Sequence, residues 1–253
     1  MLNLSNIFTK DYTINIYDVD SKMNCKYSSL MNYLWDVVIS QTDSLGETDH
    51  GLVHNCVWVL LKYDLKILEY PKFRDIITVE TEAIGIKKLY GYRRCTIKNS
   101  EGKIILSGIS TAMLIDIEKR RPAKISPEQL KLYGVEKELD EIIPLDDFIK
   151  LEASSTTRDY TVRHSDIDSN NHVNNVKYIE MAIDTLPKEL LDQYELSGIK
   201  VLFKKEASDG STLHFNTDIL RNDENELITV HRVFKDEVQK PITKLEFKWK
   251  KNS

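Results

Sequence analysis

The sequence predicts an α+β protein built from two copies of one unit, each a long helix wrapped by a curved antiparallel sheet. Three observations lead there: two segments carry helical periodicity, most of the remaining chain alternates with period two, and a short polar string recurs ahead of each helix.

In the first helical segment Leu30, Tyr33, Leu34, Val37, Val38 and Gln41 follow i, i+3, i+4, i+7 spacing, and Gly46 is placed to end the helix. In the second, Val176, Ile179, Ala182, Ile183 and Leu186 do the same, with Pro187 as the stop. A short third helix is expected from Ser126-Pro127-Glu128, with serine as cap and proline in the first turn. Among the strands, Tyr63, Leu65 and Ile67 share one face, as do Ile77, Val79, Thr81 and Ala83. Ile199, Val201 and Phe203 form a later face, and Leu213, Phe215, Thr217 and Ile219 another. At the end, Leu245, Phe247 and Trp249 alternate with Lys244, Glu246, Lys248 and Lys250. Asn99-Ser100-Glu101-Gly102 and Asn222-Asp223-Glu224-Asn225 have hairpin-turn composition.

The order strand, helix, strands then repeats. Tyr17-Asp18-Val19-Asp20-Ser21 matches His164-Ser165-Asp166-Ile167-Asp168-Ser169 at an offset of 148, and Tyr63–Ile67 parallels Ile199–Phe203 at an offset of 136. An N-terminal repeat is expected over 1–134, a connector over 135–157 and a C-terminal repeat over 158–253.

With 253 residues, 41% of them hydrophobic, the chain suits one large domain or two of roughly 120 residues. It has no stretch of about 18 apolar residues, which argues against a membrane span. Its start lacks the basic flank and apolar core of a secretory signal, and Cys25, Cys56 and Cys95 form no CxxC pair. Reduced thiols and a cytoplasmic location are expected. A net charge of −5 argues against nucleic-acid binding. The basic doublets Lys87-Lys88, Arg93-Arg94, Arg120-Arg121 and Lys204-Lys205 read as solvated strand ends or as a docking patch for an acidic partner.

The densest polar cluster runs from Asp166 to Asn175, between a strand and the second helix. A helix N-terminus offers free N–H groups suited to a developing oxyanion. Asp168, Asn170 and His172, at alternate positions, can project to one side of an extended segment. The plainer alternative is helix capping, which accounts for one Asp or Asn but not for the whole string.

Asp168-x-Asn170-x-His172-Val173-Asn174-Asn175-Val176-Lys177-Tyr178 resembles the signature of plant and bacterial acyl-ACP thioesterases. Leu202-Phe203-Lys204-Lys205-Glu206 resembles a later family segment, and Trp58 with Tyr70-Pro71-Lys72-Phe73-Arg74-Asp75 resembles the N-terminal half, so the likeness covers about residues 10 to 250. It implies a tandem hot-dog fold and hydrolysis of fatty acyl-ACP, with Asp168, Asn170, His172 and Glu206 at the catalytic positions. It implies no cofactor, and acyl carrier protein as partner. The family often has a cysteine after that glutamate; here Ala207 stands there, which leaves carboxylate chemistry rather than a Cys–His pair. Asp168 would act on the carbonyl or on water, Asn170 and His172 would orient and stabilise charge, Glu206 would place or deprotonate water, and the amides after His172 would form the oxyanion site.

In the N-terminal copy Lys22 and Asn24 replace Asn170 and His172, and Tyr70 stands at the Glu206 position; only Asp20 survives. That half is expected to have lost catalysis and to form a wall of the acyl pocket. Candidate substrate contacts are Trp35, Trp58, Phe73, Asn174 and Asn175, each aromatic having a core role as its alternative. Lys204, Lys205, Arg120 and Arg121 are the candidate ACP contacts. His50 and His54 lack a third ligand, so no metal site is expected, and Gly108-Ile109-Ser110-Thr111-Ala112 is a strand rather than a nucleophile elbow. An acyl-CoA thioesterase, a non-catalytic acyl- or carrier-binding module and a hot-dog dehydratase are the competing readings. Oligomeric state stays open, a homodimer included.

Overall fold

The structure, a computed structural model, describes residues 7–46, 52–53, 56–135, 138–151, 154–221, 223–236 and 239–252. The chain divides after Pro144 into two compact units. The first contains β1 (Ile7–Thr13), α1 (Tyr27–Ser44), β2 (Leu52–Val53), β3 (Cys56–Ile67), β4 (Ile76–Lys87), β5 (Tyr90–Asn99), β6 (Ile104–Asp116), β7 (Arg121–Pro122) and α2 (Pro127–Leu132). The second contains β8 (Thr156–Thr161), α3 (Asn175–Ile183), α4 (Lys188–Gln193), β9 (Tyr194–Phe203), β10 (Thr212–Arg221), β11 (Glu226–Lys235) and β12 (Thr243–Lys251).

Both units are antiparallel sheets with few helices, and both follow one path. In the first the strands run β1-β4-β5-β6-β3, with β2 and β7 as short additions to β3 and β6. In the second they run β8-β10-β11-β12-β9. The first strand of each unit therefore pairs with its third, and the second closes the far edge.

Amphipathicity explains the packing. Leu30, Leu34, Val37 and Gln41 are buried along α1, which lies against β4 and β1. Gly46, at φ +75°, turns the chain out of the helix in a conformation that costs other residues more. The alternating faces assigned from sequence are inward: Tyr63, Leu65, Ile67, Ile77, Val79, Ile199, Val201, Leu213, Phe215, Leu245, Phe247 and Trp249 are all buried. Register slips at Leu60/Lys62, Ala83/Gly85 and Lys248/Trp249 break the strict alternation. The first of them turns Lys62 inward, where its Nζ donates to the Pro144 carbonyl at 2.9 Å.

Two expectations need correction. The second helix ends at Ile183 rather than running to Pro187, because the Thr185 hydroxyl and N–H both take the Ala182 carbonyl and close the last turn. Pro187 then opens α4 instead of ending α3. Residues 138–151, within the expected connector, are clasped by side chains of the strands. Lys87 donates to the Leu139 carbonyl, and the Leu139 side chain fills the space that a Cβ on Gly85 would occupy. Further on, Asp146 pairs with Lys204 and Lys244, Asp147 with Lys200, and the Phe148 ring lies beneath Lys200 and Arg232. Glu246, expected on a solvated face, is buried where it accepts the Ile149 N–H.

A buried polar chain fastens α3 to its sheet. The Thr185 hydroxyl gives its proton to Ala182, so it accepts from the Thr217 hydroxyl at 2.8 Å, and Thr217 in turn accepts from His231 Nδ1 at 2.8 Å. The other nitrogen, Nε2, accepts from the Thr229 hydroxyl at 2.9 Å, and Thr229 accepts from Trp249 Nε1 at 3.0 Å. This order assigns His231 the Nδ1–H tautomer and leaves no site for a second proton. Burial, helped by the neighbouring Arg232 charge, lowers its pKa to about 3. An unfolded histidine titrates near 6.5, so between about 6.5 and 3 the unfolded chain binds the extra proton, and stability falls as pH falls through that window. Urea unfolding between pH 7 and 5 should show a loss approaching about 1.4 kcal/mol per pH unit below 6.5. A His231→Gln variant, less stable at pH 7, should lack that component; equal slopes in the two proteins would refute the assignment.

Candidate active site

The loop between β8 and α3 is held by its own backbone. Ile167 and Val173 form a bridge, the Asp168 N–H donates to the His172 carbonyl at 2.8 Å, and the Asn171 N–H donates to the Asp168 carbonyl at 3.1 Å. Asp168 Oδ1 accepts from the Asn170 N–H at 2.8 Å and the His172 N–H at 3.4 Å. Asn171, at φ +62°, takes the left-handed conformation that asparagine tolerates. Asp166, 2% exposed, accepts from the Arg163 N–H and the Tyr160 hydroxyl, and its carbonyl takes the Asn174 N–H. The Asn174 side chain caps α3 by accepting from the Val176 N–H at 2.9 Å.

Residues 168, 170 and 172 therefore sit on a tight hairpin, not on an extended segment. Nor are the amides directly after His172 free. Val173 donates to the Ala207 carbonyl and Asn174 to that of Asp166, which leaves the Asn175 N–H without an acceptor among the described residues.

Glu206 arrives from β9. The Lys204 and Lys205 N–H groups both donate to the Ile242 carbonyl, at 2.8 and 3.2 Å, and Ala207 is buried where its carbonyl takes the Val173 N–H at 2.9 Å. Between these tethers Glu206 Oε2 lies 3.0 Å from His172 Nε2, both side chains being partly open to solvent at 56% and 40% exposure. Of the four residues proposed from sequence, the structure thus joins Asp168, Asn170 and His172 in one loop and brings Glu206 to the imidazole. Among the described residues Asp168 Oδ2 and the exposed Asn170 side chain take no hydrogen bond.

The N-terminal copy repeats the backbone bonds of this loop and its aspartate staple. Asp20 Oδ1 accepts from the Lys22 and Asn24 N–H groups at 2.8 and 3.0 Å, Met23 takes φ +64°, and Val19 bridges Cys25. The Lys26 N–H donates to the Asp18 carbonyl, and the Cys25 N–H to that of Pro71. Asp166, Asp168 and Asn171 therefore have backbone roles that a copy without histidine also fills, and Asn174 is a helix cap. Asn170, His172 and Glu206 are what the scaffold does not require.

The remaining candidates scatter. Trp35 is 42% exposed on α1, Trp58 packs over Gly91 within β3 and β5, and Phe73 lies under the Arg74 guanidinium. Lys204 is engaged by Asp146 at 2.7 Å, whereas Lys205, Arg120 and Arg121 are exposed. The two lysines on Asp146 hold its carboxyl down at about 2. Cys25 and Cys95 are buried, and burial pushes both thiols up. No metal-holding group of three or more His, Cys, Asp or Glu occurs among the described residues, and His50 and His54 lie outside them. The buried hydroxyl of Tyr178 and the His231 chain were not singled out from sequence; comparing Tyr178 with Leu30, 148 residues earlier, would have flagged the first.

Because Asp20 and Asp168 staple equivalent loops, replacing either by alanine should lower stability by a similar amount, about 1–2 kcal/mol for two partly exposed hydrogen bonds. Asn at either position keeps an Oδ1 acceptor and should keep the loop. Chemical denaturation of the four variants checks this, and a loss confined to one copy would contradict the equivalence.

Residues 5–133 match the acyl-ACP thioesterase N-terminal domain, and residues 149–251 match the acyl-ACP thioesterase C-terminal domain. A chloroplastic palmitoyl-acyl carrier protein thioesterase from Gossypium hirsutum is 26% identical over 228 residues, 84% of this chain and 55% of the relative. A chloroplastic dodecanoyl-[acyl-carrier-protein] hydrolase from Cinnamomum camphora is 24% identical over 229 residues, 84% of this chain and 59% of the relative. The chain thus spans little more than half the length of these relatives. Among solved structures, a Lactobacillus plantarum protein superposes with a TM-score of 0.89 at 25% identity, covering 98% of this chain and 97% of its own. With both family domains matched in order across most of its length, the chain belongs to the acyl-ACP thioesterase family.

Proposed function

We propose that the protein hydrolyses the thioester of a fatty acyl chain carried by acyl carrier protein, releasing free fatty acid and ACP, on a tandem hot-dog scaffold. The observation that carries this reading is the 3.0 Å His172–Glu206 pair, set on a scaffold that the N-terminal copy builds without either residue. Family membership and the names of the relatives support ACP as the carrier. Those names include both palmitoyl and dodecanoyl substrates at 26% and 24% identity, so likeness alone does not select a chain length.

In this mechanism the His172 imidazole, with Nε2 3.0 Å from Glu206 Oε2, orients that carboxylate. Glu206 takes a proton from a water whose oxygen attacks the thioester carbonyl carbon. The Asn170 carboxamide and the Asn175 N–H donate to the carbonyl oxygen as its charge develops. The C–S bond then breaks, and the proton held by Glu206 passes to the departing thiolate. Asp168 keeps the loop closed through Oδ1. Its free Oδ2 supports a second reading, direct attack to give an anhydride that water opens, and single turnover in ¹⁸O-water separates the two because only direct attack leaves label on Asp168.

His172→Ala and Glu206→Gln should each lower kcat on acyl-ACP by roughly 10²–10⁴-fold without unfolding the protein. A variant with Cys25, Cys56 and Cys95 all changed to serine should, once folded, keep most of its activity. A short-to-long acyl-ACP panel, run beside acyl-CoA, checks both statements and the carrier together. Turnover of CoA esters alone, or lipid binding without turnover, would reject the proposal.

ACP docking is assigned to the exposed basic residues Lys205, Arg120 and Arg121, whereas Lys204 is engaged by its pair with Asp146. Charge reversal at Lys205 or at the arginines should raise KM for acyl-ACP several-fold at low salt and less at high salt. Lys204→Glu would also set a second carboxylate against that of Asp146, so its effect should include a loss of stability that Lys205→Glu lacks. KM unchanged at every position would remove the assignment.

A further inference from the structure

Two bridges cross the end of β9 just ahead of Glu206. The first is backbone: the Lys204 and Lys205 N–H groups share the Ile242 carbonyl. The second is made of side chains. Asp146 Oδ2 accepts from Lys204 Nζ at 2.7 Å, and Asp146 Oδ1 accepts from Lys244 Nζ at 2.6 Å. Lys204 precedes Glu206 by two residues and Lys244 follows Ile242 by two. One carboxylate thus ties together the side chains that flank the backbone crossing.

Asp146 is itself held in place. The Asp147 carbonyl accepts from Lys200 Nζ at 2.8 Å, and its carboxylate lies 3.0 Å from the same ammonium. The Phe148 ring lies against Lys200 and Arg232, the Ile149 N–H donates to the buried Glu246, and Arg232 donates to the Ile149 carbonyl. Residues 146–149 form a strap over β9, β12 and β11, and its backbone delivers the Asp146 carboxylate to the two lysines. That makes the bridge part of a network; an isolated surface pair would contribute little.

The N-terminal copy has the backbone crossing without the side-chain bridge. There the Leu68 and Glu69 N–H groups share the Ile105 carbonyl, at 2.8 and 3.3 Å. Leu68, 52% exposed, stands at the Lys204 position, Ser107 at the Lys244 position and Tyr70 at the Glu206 position. Asp64, Thr96 and Ile109 replace Lys200, Arg232 and Glu246, which hold the strap. A strand end of this kind therefore forms without a carboxylate clamp, and the clamp accompanies the copy that carries Glu206.

We infer that Asp146 is a positioning residue for Glu206: by tying Lys204 to Lys244 across the Ile242 crossing, it stiffens the strand end and holds the carboxylate against His172. It also keeps the Lys204 ammonium occupied. Released, that cation would lie two residues from Glu206 and compete with the imidazole for its carboxylate. The inference rests on the proposed roles of His172 and Glu206.

The test is Asp146→Asn in the full chain, with palmitoyl-ACP as substrate. The carboxamide can accept from one lysine but has no charge with which to bridge two. The value of kcat should fall about 5-fold at unchanged KM, the scale on which a partly exposed charge network acts. Asp147→Asn removes a carboxylate from the same strap, one that faces Lys200, and should leave kcat in place. Combined with Glu206→Gln, Asp146→Asn should cost nothing further, since the carboxylate it positions is gone. At fixed pH, the ¹⁵N NMR signal of His172 Nε2 should move in Asp146→Asn toward its position in Glu206→Gln, a readout that requires no turnover. In Asp147→Asn it should stay where it is in the wild type. Full kcat in Asp146→Asn, an equal loss in Asp147→Asn, a further loss on the Glu206→Gln background or an unmoved His172 signal would each overturn the inference. So would a change confined to KM, which would make Asp146 a part of carrier docking. If Glu206→Gln were itself fully active, the reading of the site would fall and take the inference with it. Loss of activity in Glu206→Gln with none in Asp146→Asn would sink the inference alone.

Discussion

The site depends on one backbone hydrogen bond, from the Val173 N–H to the Ala207 carbonyl at 2.9 Å. It ties the loop carrying His172 to the strand end carrying Glu206, two segments more than thirty residues apart in sequence. Side chains alone could not hold that spacing, because imidazole and carboxylate are partly solvated and a single exposed ion pair is worth little, about 0–1 kcal/mol. The backbone fixes the distance, and the pair then forms at small entropic cost. Around this bond lie the Asp168 staple, the left-handed turn at Asn171 and the Ile242 carbonyl that receives both Lys204 and Lys205.

The same construction in the N-terminal copy separates scaffold from chemistry within one molecule. There the loop, its aspartate staple, its positive-φ residue and its bond to the strand end all persist, with lysine, asparagine and tyrosine where asparagine, histidine and glutamate stand in the other copy. A carboxylate at the Asp168 position is thus accounted for by loop closure before any catalytic role is added. The duplication reaches details that chemistry does not need. Arg74 at φ +73° and Gly210 at φ +75° both turn the chain beyond the strand ends, and Ile14 and Val162 donate to the Asp75 and Ser211 carbonyls while accepting from the Arg74 and Gly210 N–H groups.

The interior of the second unit adds a rigid base to the site. A chain of hydroxyls from Trp249 through His231 to Thr185 ends on the Ala182 carbonyl, in the last turn of the helix whose first turn follows the His172 loop. Every donor in it has an acceptor, so the polar groups specify one arrangement where apolar side chains would permit several. Among the described residues the first unit shows no matching chain: Cys95 faces Thr81 at the corresponding pair, and the Thr81 hydroxyl is unpartnered there.

By itself the sequence determined the elements and the residue types of the site. Period-two alternation placed the inward faces of β3, β4, β9, β10 and β12, helical spacing placed α1, and Ser126-Pro127 placed the start of α2, because these patterns are local and each strand or helix must turn its own apolar face inward. The polar string at 166–175 and the offset of 148 between the repeats were equally legible. Three things were decided only by the tertiary structure. The end of α3 was set by Thr185 rather than Pro187, the clasped path of residues 138–151 by lysines from distant strands, and the geometry of the site by the meeting of a hairpin with a strand end. The last two rest on hydrogen bonds between residues remote in sequence, and the first is reinforced by one, from Thr217 to Thr185. Periodicity reports which face of an element is buried, but not which carbonyl a given N–H will find when two elements meet.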